Sequence, residues 1–238
     1  MKSSHQIIQE LRQKIRAAQE EFDLAVTFHE VWKPGAYDTD LHGRMGTSYA
    51  TRAFNVVLMA LRREMVLAMV RLWDKDSRAV GMQAIADDIR NLDVMAALTK
   101  ERADKMGISG VEPQLRVDLD KKAAEVLTLV AKYDQGGSDV DVLQRLRNLR
   151  NMRLAHRQTT PVAPHSADLT DKEIEGFYQD NSELIHILLS LVDGHAYDPG
   201  DTAGVYRHYA GHFWAGVRGE QTEGHPNYRA RPSSSRSE

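Results

Sequence analysis

The longest periodic segment of the chain lies near its start, at residues 4–32, SHQIIQELRQKIRAAQEEFDLAVTFHEVW. Its apolar residues recur every three or four positions, which is the spacing of one face of an α-helix. They are Ile7, Ile8, Leu11, Ile15, Ala18, Phe22, Ala25 and Val26. The pattern predicts a long amphipathic helix. We expect the sequence KPG at 33–35 to end it, because proline and glycine are common helix stops.

The same periodicity continues through most of the chain and predicts further helices. They cover about 48–73, 82–92, 94–106, 114–133, 140–156 and 170–194, with a weaker, glycine-diluted helix at about 202–217. The segment 36–46 has the composition of a loop, and Thr170 with Glu173 forms a capping box. We find no convincing strand pattern and no internal repeat. The sequence therefore predicts an all-α helical bundle.

Composition suggests three parts along this bundle. Residues 1–197 form the main bundle, 198–218 add a C-terminal helical appendage, and 219–238 have the composition of a disordered tail. The chain of 238 residues has a formal net charge of −3 and no cysteine. These values argue against a uniformly basic nucleic-acid binder, a disulfide framework, a cysteine-ligated zinc site and thiol catalysis. No apolar run approaches the ~18 residues of a membrane span, so we expect a cytoplasmic protein.

Basic residues cluster at the end of the helix predicted at 140–156, in the stretch RNMRLAHRQ at 150–158. At about 100° per residue, Arg150, Arg153 and Arg157 fall within roughly 60° of one another. Such a stripe suits phosphate binding through planar, permanently charged guanidinium groups. It equally suits a solvated face that pairs with acids such as Glu173. Composition alone leaves both interpretations open.

His156 lies where this helix must end, before the proline-containing sequence TTPVAP. An imidazole at this point can transfer protons near neutral pH, or it can simply interact with the helix dipole. Arg150 and His156 are about 120° apart on an ideal helix and do not share a face. They converge if the helix frays at His156, or if each meets its counterpart from a second subunit.

Arg150, Asn151 and His156 resemble the signature of the HEPN superfamily, in which an arginine and a polar residue precede a histidine by a few positions. Here five residues separate Arg150 from His156. The stretch LRREMVLAMVRLWDKDSRAVGMQAIADDI at 61–89 further resembles the abortive-infection AbiU-like branch of that superfamily. In this branch a long helix ends in an apolar residue and an aspartate, followed by a charged link and a short amphipathic helix. The similarity covers roughly residues 11–191.

The resemblance implies a metal-independent endoribonuclease without a cofactor, usually a homodimer in which the motifs of both chains meet. His156 would be the general acid and base, Arg150 would clamp the scissile phosphate, and Asn151 would orient one of them. The RNA supplies its own 2′-OH as nucleophile, and the product is a 2′,3′-cyclic phosphate. Arg153 and Arg157 would be accessory RNA contacts, on the spacing argument rather than the family motif. Such proteins act as toxins or phage-defence effectors, and a neutralising antitoxin or regulatory protein is a further expected partner.

Several alternatives remain open at this stage. Asp74 is either a residue behind the site that orients the Arg–His pair, or an ordinary acid that pairs with Arg71. Gln158 stands where family members paired with nucleotidyltransferases carry tyrosine, so that pairing is not supported. Many HEPN proteins have lost catalysis, which leaves a non-catalytic dimerisation or RNA/nucleotide-binding module, or a surface for a protein partner. His208 and His212 have a metal-compatible spacing but no third ligand, which favours simple helix packing.

Overall fold

The computed structural model describes residues 3–76, 81–150 and 169–229, and within these ranges the chain is helical without strands. The helices are α1 (Ser4–Tyr37), α2 (Thr39–Met45), α3 (Ala50–Arg71), α4 (Met82–Arg90), α5 (Leu92–Met106), α6 (Glu112–Lys132), α7 (Val140–Leu149), α8 (Asp171–Val192) and α9 (Pro199–Gly216). One isolated antiparallel bridge joins Trp73 and Gly81. The predicted all-α class is confirmed. No helix in these ranges is both long and apolar enough to cross a membrane.

The predicted stop at residues 33–35 was wrong, because α1 continues through Pro34 to Tyr37. Pro34 removes one backbone hydrogen bond to the preceding turn, but it does not end the helix. Gly35 has a packing role instead. A Cβ at this position would lie 2.3 Å from Leu58 Cδ2 and 3.1 Å from Trp214 Cζ2. The glycine therefore lets two other helices approach α1 closely, a requirement that local sequence does not reveal.

The segment predicted as a loop at 36–46 was also wrong in part, because it contains helix α2. Asp38 caps this helix, and its Oδ1 accepts hydrogen bonds from the backbone N–H of Asp40 at 2.9 Å and of Leu41 at 3.0 Å. A capping aspartate satisfies amides that have no partner within the helix. The predicted capping box of α8 is confirmed, with Thr170 and Glu173 bonded reciprocally. It fixes where α8 begins.

The chain divides into two compact units, of which unit 1 comprises Met1–Ala25 and Val66–Pro199. Its most deeply buried helix is α8, whose apolar face forms much of the core. The buried apolar side chains of α8 are Ile174, Phe177, Tyr178, Leu184, Ile185, Ile187, Leu188, Leu189, Leu191 and Val192. Helix α7 buries only Leu143 and Leu146. Its remaining described residues are accessible, so α7 presents a polar face at the surface of this unit.

Unit 2 comprises Val26–Met65 and Gly200–Glu238. Its small core is formed by Leu41, Met45, Ala210 and Trp214. The indole N–H of Trp214 donates to the carbonyl of Val31 at 2.7 Å. This bond joins α9 to the second half of α1.

The segment after α9 folds against α2 within unit 2, whereas its composition predicted disorder from residue 219. Gly219 N and Thr222 Oγ1 donate to the carbonyl of Arg44 at 2.9 and 2.6 Å. This carbonyl belongs to the last turn of α2 and has no partner within that helix. Composition alone cannot predict that this carbonyl binds the segment after α9. Residues 230–238 lie outside the described ranges, and the three-part division of the chain stays a prediction.

Candidate functional site

Two of the predicted site residues lie in the described ranges, and they are in contact. Asp74 follows the end of α3, and Arg150 follows the end of α7. The Nη1 atom of Arg150 donates to Oδ2 of Asp74 at 3.1 Å. The remaining predicted site residues lie outside the described ranges; they are Asn151, Arg153, His156 and Arg157. The structure therefore describes the part of the predicted site that is formed by Arg150 and Asp74.

The Asp74 side chain is held in one orientation by its own loop. Its Oδ1 accepts the backbone N–H of Lys75 at 2.7 Å and of Asp76 at 3.2 Å. Burial raises the pKa of the Asp74 carboxyl. The two backbone N–H groups and the Arg150 guanidinium outweigh burial, so the net pKa lies below its ordinary value. Asp74 is therefore a carboxylate at neutral pH, and its contact with Arg150 is a charged pair.

The alternative partner for Asp74 was Arg71, and the side-chain bonds do not favour it. Arg71 Nε donates to Oε1 of Glu21 at 2.7 Å. Arg71 meets Asp74 through the backbone, where the Asp74 N–H bonds to the Arg71 carbonyl at 3.2 Å. This backbone bond belongs to the end of α3. The Asp74 carboxylate is thus aimed at α7 rather than back along its own helix.

Arg147 forms a second link between the ends of α7 and α3. Its Nη2 donates to the carbonyl oxygen of Trp73 at 2.6 Å. Burial lowers the pKa of Arg147, the nearby charge of Arg150 lowers it further, and Asp74 opposes both. Arginine keeps its charge despite such shifts. Arg147 and Arg150 are three residues apart at the end of α7 and bind consecutive residues. Arg147 bonds the backbone carbonyl of Trp73, and Arg150 bonds the carboxylate of Asp74.

Trp73 is anchored in turn by α6 and α8. Its indole N–H donates to Oδ1 of Asn181 at 2.8 Å, and Asn181 Nδ2 donates to the carbonyl of Phe177 at 2.7 Å. The Trp73 ring lies 4.9 Å from that of Tyr133 and 6.0 Å from that of Phe177. Asn181 is completely buried. A buried amide with both ends bonded fixes an aromatic ring more specifically than apolar packing does.

Gly81 packs directly against the main chain of Asp74. A Cβ at this position would lie 2.7 Å from the carbonyl oxygen of Asp74. The next residue, Met82, donates its N–H to the carbonyl of Leu72 at 2.9 Å. The start of α4 is thus bonded to the end of α3, and only glycine allows this close approach at residue 81.

Arg145 belongs to a different contact, as the solvated-face interpretation predicted. It pairs with Glu173, with Nη1 to Oε2 at 3.3 Å. The Arg145 guanidinium, together with the N–H and hydroxyl of Thr170, lowers the pKa of Glu173 to about 2. Arg145 thus stabilises the start of α8. The arginines at 145, 147 and 150 form no uniform basic stripe, because each has a different partner.

Sequence reasoning missed two contributors to this site. Arg147 entered only as part of the basic cluster, because a backbone carbonyl acceptor leaves no trace in the sequence. Asn181 was detectable. It occupies a position on the apolar face of α8, four residues after Phe177 and three before Leu184. A polar residue on such a face requires a buried partner, and that was the available signal.

Among the described residues, no group of three or more metal-ligating side chains could hold a metal ion. His208 and His212 lie close together on α9, with ring centroids 4.7 Å apart. Both are exposed. A two-histidine arrangement does not make a closed structural zinc site.

The all-α fold, the arginine at the end of α7 and the aspartate that follows a long helix are features on which the HEPN resemblance rests. The AbiU2 model of the HEPN families matches residues 2–213. The chain therefore belongs to the AbiU2 family of HEPN-type abortive-infection proteins, as the sequence resemblance implied. No curated protein and no solved structure matches the chain.

Proposed function

We propose that this protein is a metal-independent endoribonuclease of HEPN type, acting in the cytoplasm as a toxin or phage-defence effector. The observation that carries the proposal is the placement of Arg150. It stands at the end of α7, its side chain is 25% exposed, and a carboxylate orients it. Six residues further along the chain comes His156. An oriented, accessible cation followed by a histidine is what in-line cleavage of RNA requires.

The chemistry divides between the two side chains and the RNA. The 2′-OH attacks the adjacent phosphorus, so that the 2′-O–P bond forms as the P–O5′ bond breaks. His156 accepts the proton of the 2′-OH, and an imidazolium donates a proton to the leaving 5′-oxygen. Arg150 stabilises the negative charge on the phosphorane, and Asn151 orients the phosphate or the imidazole. The products are a 2′,3′-cyclic phosphate and a 5′-hydroxyl, and no metal ion enters the reaction.

The proposed enzyme is a homodimer. On an ideal helix Arg150 and His156 would be about 120° apart, and of the two ways in which they can converge we propose the one in which each meets its counterpart from a second copy. A second copy brings another imidazole and another guanidinium to the same phosphate. Acceptance and donation of protons then fall to separate histidines. Arg153 and Arg157 provide accessory contacts with RNA phosphates, and an antitoxin or regulatory protein silences the enzyme in uninfected cells.

A second candidate function follows from the charge of the pair. Asp74 already neutralises Arg150, so the site carries less positive charge than its arginines suggest. A neutralised arginine stabilises a phosphorane less well, which favours a non-catalytic dimerisation or RNA/nucleotide-binding module over an enzyme. Its RNA affinity would depend on Arg150 and Arg153, and would fall steeply with salt if phosphate contacts dominate.

Cleavage of RNA in the presence of a chelator distinguishes the two functions. Purified protein is incubated with end-labelled cellular RNA and EDTA, beside His156→Ala and an exposed control, His208→Ala. We expect cleavage by the wild type and the control, loss of at least ~100-fold in His156→Ala, and 2′,3′-cyclic phosphate ends. Replacing the 2′-OH at the cleaved position by hydrogen abolishes the reaction. Equal cleavage by all three proteins, or no cleavage by the wild type, refutes the ribonuclease.

A further inference from the structure

Arg147 and Asn181 stand behind Arg150 and Asp74, in a chain of contacts that runs from the core of unit 1 to the site. Asn181 is fully buried, and its amide bonds the Trp73 indole at 2.8 Å. The Trp73 carbonyl accepts from Arg147 at 2.6 Å. The next residue, Asp74, holds Arg150. Asn181 and Trp73 each bond two further residues, whereas Arg147 and Arg150 end the network on the side of α7.

We infer that Arg147 and Asn181 are positioning residues for the proposed ribonuclease, acting through Trp73 and Asp74 on Arg150. The inference rests on the proposed function for its catalytic consequence. The structural part of the inference is that these two residues fix the end of α7 to the end of α3. This part does not depend on the proposed function. Neither residue belongs to the Arg–His motif.

The geometry gives Arg147 a role that Arg150 alone cannot fill. A single ion pair between partly exposed side chains contributes little stability and leaves a helix end free to pivot. A second bond, from the preceding helical turn to the adjacent residue of the partner segment, removes that pivot. Because its acceptor is a backbone carbonyl, the contact with Trp73 also fixes the main chain from which the Asp74 carboxylate projects.

Asn181 gives the network its fixed end. The apolar neighbours of Trp73 are Tyr133 and Phe177, and apolar contacts alone tolerate rotation of the indole ring. The Asn181 amide accepts the indole N–H and returns its own N–H to the Phe177 carbonyl. Rotation of the indole would leave a buried donor and a buried acceptor without their partners, which is unfavourable. The ring, and with it the carbonyl of the same residue, is therefore held in one orientation.

Arg145 provides a matched control on the same helix. It carries the same charge two residues before Arg147, but it pairs with Glu173 at the start of α8 and not with Trp73. Arg147→Met and Arg145→Met remove the same charge from α7. A difference between the two variants therefore reports the Trp73 contact rather than the general electrostatic attraction of RNA.

The test measures kcat and KM for RNA cleavage in Arg147→Met, Arg147→Lys, Asn181→Leu and Arg145→Met. We expect kcat to fall by about 10- to 100-fold in Arg147→Met with KM changed less than about threefold, as for other residues that orient catalytic groups. Arg147→Lys, which keeps a donor, recovers part of the loss. Arg145→Met stays within about threefold of the wild type. Equal losses in Arg147→Met and Arg145→Met, or a loss confined to KM, would overturn the inference.

Asn181→Leu is a core substitution and needs a partner variant that separates folding from positioning. Trp73→Phe removes the indole N–H while Asn181 remains. If Asn181 acts through Trp73, both variants lower kcat, and the double variant is no slower than the slower single variant. Multiplicative losses contradict a common path.

Hydrogen exchange tests the same inference without RNA. We expect amide exchange in the peptides covering residues 143–150 and 72–76 to accelerate at least about tenfold in Arg147→Met, and to stay unchanged in Arg145→Met. If the wild type cleaves no RNA, the proposed function fails. The exchange result then still decides whether Arg147 fixes the end of α7, and unchanged exchange in Arg147→Met refutes that.

Discussion

Each unit of the protein contains a charged cluster built around a carboxylate and an arginine, and the two clusters differ in their access to solvent. In unit 2, Glu30 is 3% exposed and accepts from Arg207 Nε at 2.9 Å, while its other oxygen lies 3.0 Å from His29 Nδ1. In unit 1, the Asp74 and Arg150 side chains are 31% and 25% exposed. The carboxylate is therefore buried in unit 2 and partly exposed in unit 1, whereas the arginine of unit 2, Arg207, is itself 66% exposed.

The difference in exposure separates a structural role from a binding role. Both oxygens of the buried Glu30 carboxylate are bonded within its own chain, one to Arg207 and one to the buried His29 ring. Burial raises the pKa of Glu30, but His29 and Arg207 outweigh it and the net pKa is lowered. Asp74 and Arg150 remain in contact with solvent. Under the proposed function, an RNA phosphate reaches Arg150 while the fold stays intact.

The largest expected effect is on cleavage, through Arg150→Gln. Loss of the guanidinium removes the charge that stabilises the phosphorane, and we expect the cleavage rate to fall by about 100- to 1,000-fold. The free energy of unfolding should change by less than about 1 kcal/mol, because the lost pair is half-exposed. Single-turnover cleavage and urea unfolding measure the two effects. Arg145→Gln is the control, and a similar loss of activity in that variant would remove the distinction between the two arginines.

Glu30→Ala is the corresponding change in the cluster of unit 2, and its expected effect is on stability. Glu30→Ala takes the carboxylate partner from the buried His29 ring, which should cost about 1–3 kcal/mol, seen in the midpoint of urea unfolding. Cleavage per folded molecule should stay within about twofold of the wild type. Glu64→Gln serves as control, since the Glu64–Arg63 pair is exposed and its loss should cost less than about 0.5 kcal/mol. A stable but inactive Glu30→Ala protein would assign the cluster of unit 2 to function.

The two clusters also differ in how far sequence could anticipate them. The sequence offered two positions for Asp74, one near Arg150 and one paired with Arg71. The first followed from the family motif and from the segment that ends in Asp74. His29 continues the apolar stripe of α1, three residues after Val26, and burial of a histidine there was foreseeable. Its neighbour Glu30 was not foreseeable. Its burial depends on Arg207, 177 residues further along the chain.

The longer helices were predictable because periodicity is a local property of the sequence, whereas the seven-residue helix α2 is too short to show it and was predicted as a loop. The errors at Pro34 and Gly35 arose where a distant contact decided the outcome, since Leu58 and Trp214 require a glycine in the continuing helix. The Arg147 contact with the Trp73 carbonyl was missed for the same reason. Tertiary partners that are backbone groups or lie far along the chain have no local pattern. The positions of His156 and its neighbours stay predictions of the sequence.

Asp74→Asn tests the cluster of unit 1 by removing the negative charge beside Arg150. The amide keeps a hydrogen-bond acceptor for Arg150 but no longer neutralises its charge. We expect RNA to bind about threefold to tenfold more tightly, because the phosphate no longer competes with a carboxylate. The cleavage rate constant should fall by about tenfold, because Arg150 is held less firmly. Binding is measured with a 2′-deoxy-substituted RNA that cannot be cleaved. Weaker binding together with unchanged cleavage would contradict the competition between Asp74 and phosphate.

The smallest expected effect concerns Glu173. It pairs with Arg145 and belongs to neither of the two clusters. Its pKa of about 2 in the folded protein lies below the ordinary value of 4.5. A lowered folded pKa stabilises the protein at pH values above the unfolded pKa, and this stabilisation is lost as pH falls from about 4.5 towards 2. Thr170→Ala removes the cap and should cost about 1 kcal/mol at pH 7. Glu173→Gln should lower the urea midpoint at pH 7, and its difference from the wild type should shrink at pH 3. An equal difference at both pH values would show that the Glu173 carboxylate does not contribute through its charge, and the assignment of Arg145 to the start of α8 would lose its electrostatic basis.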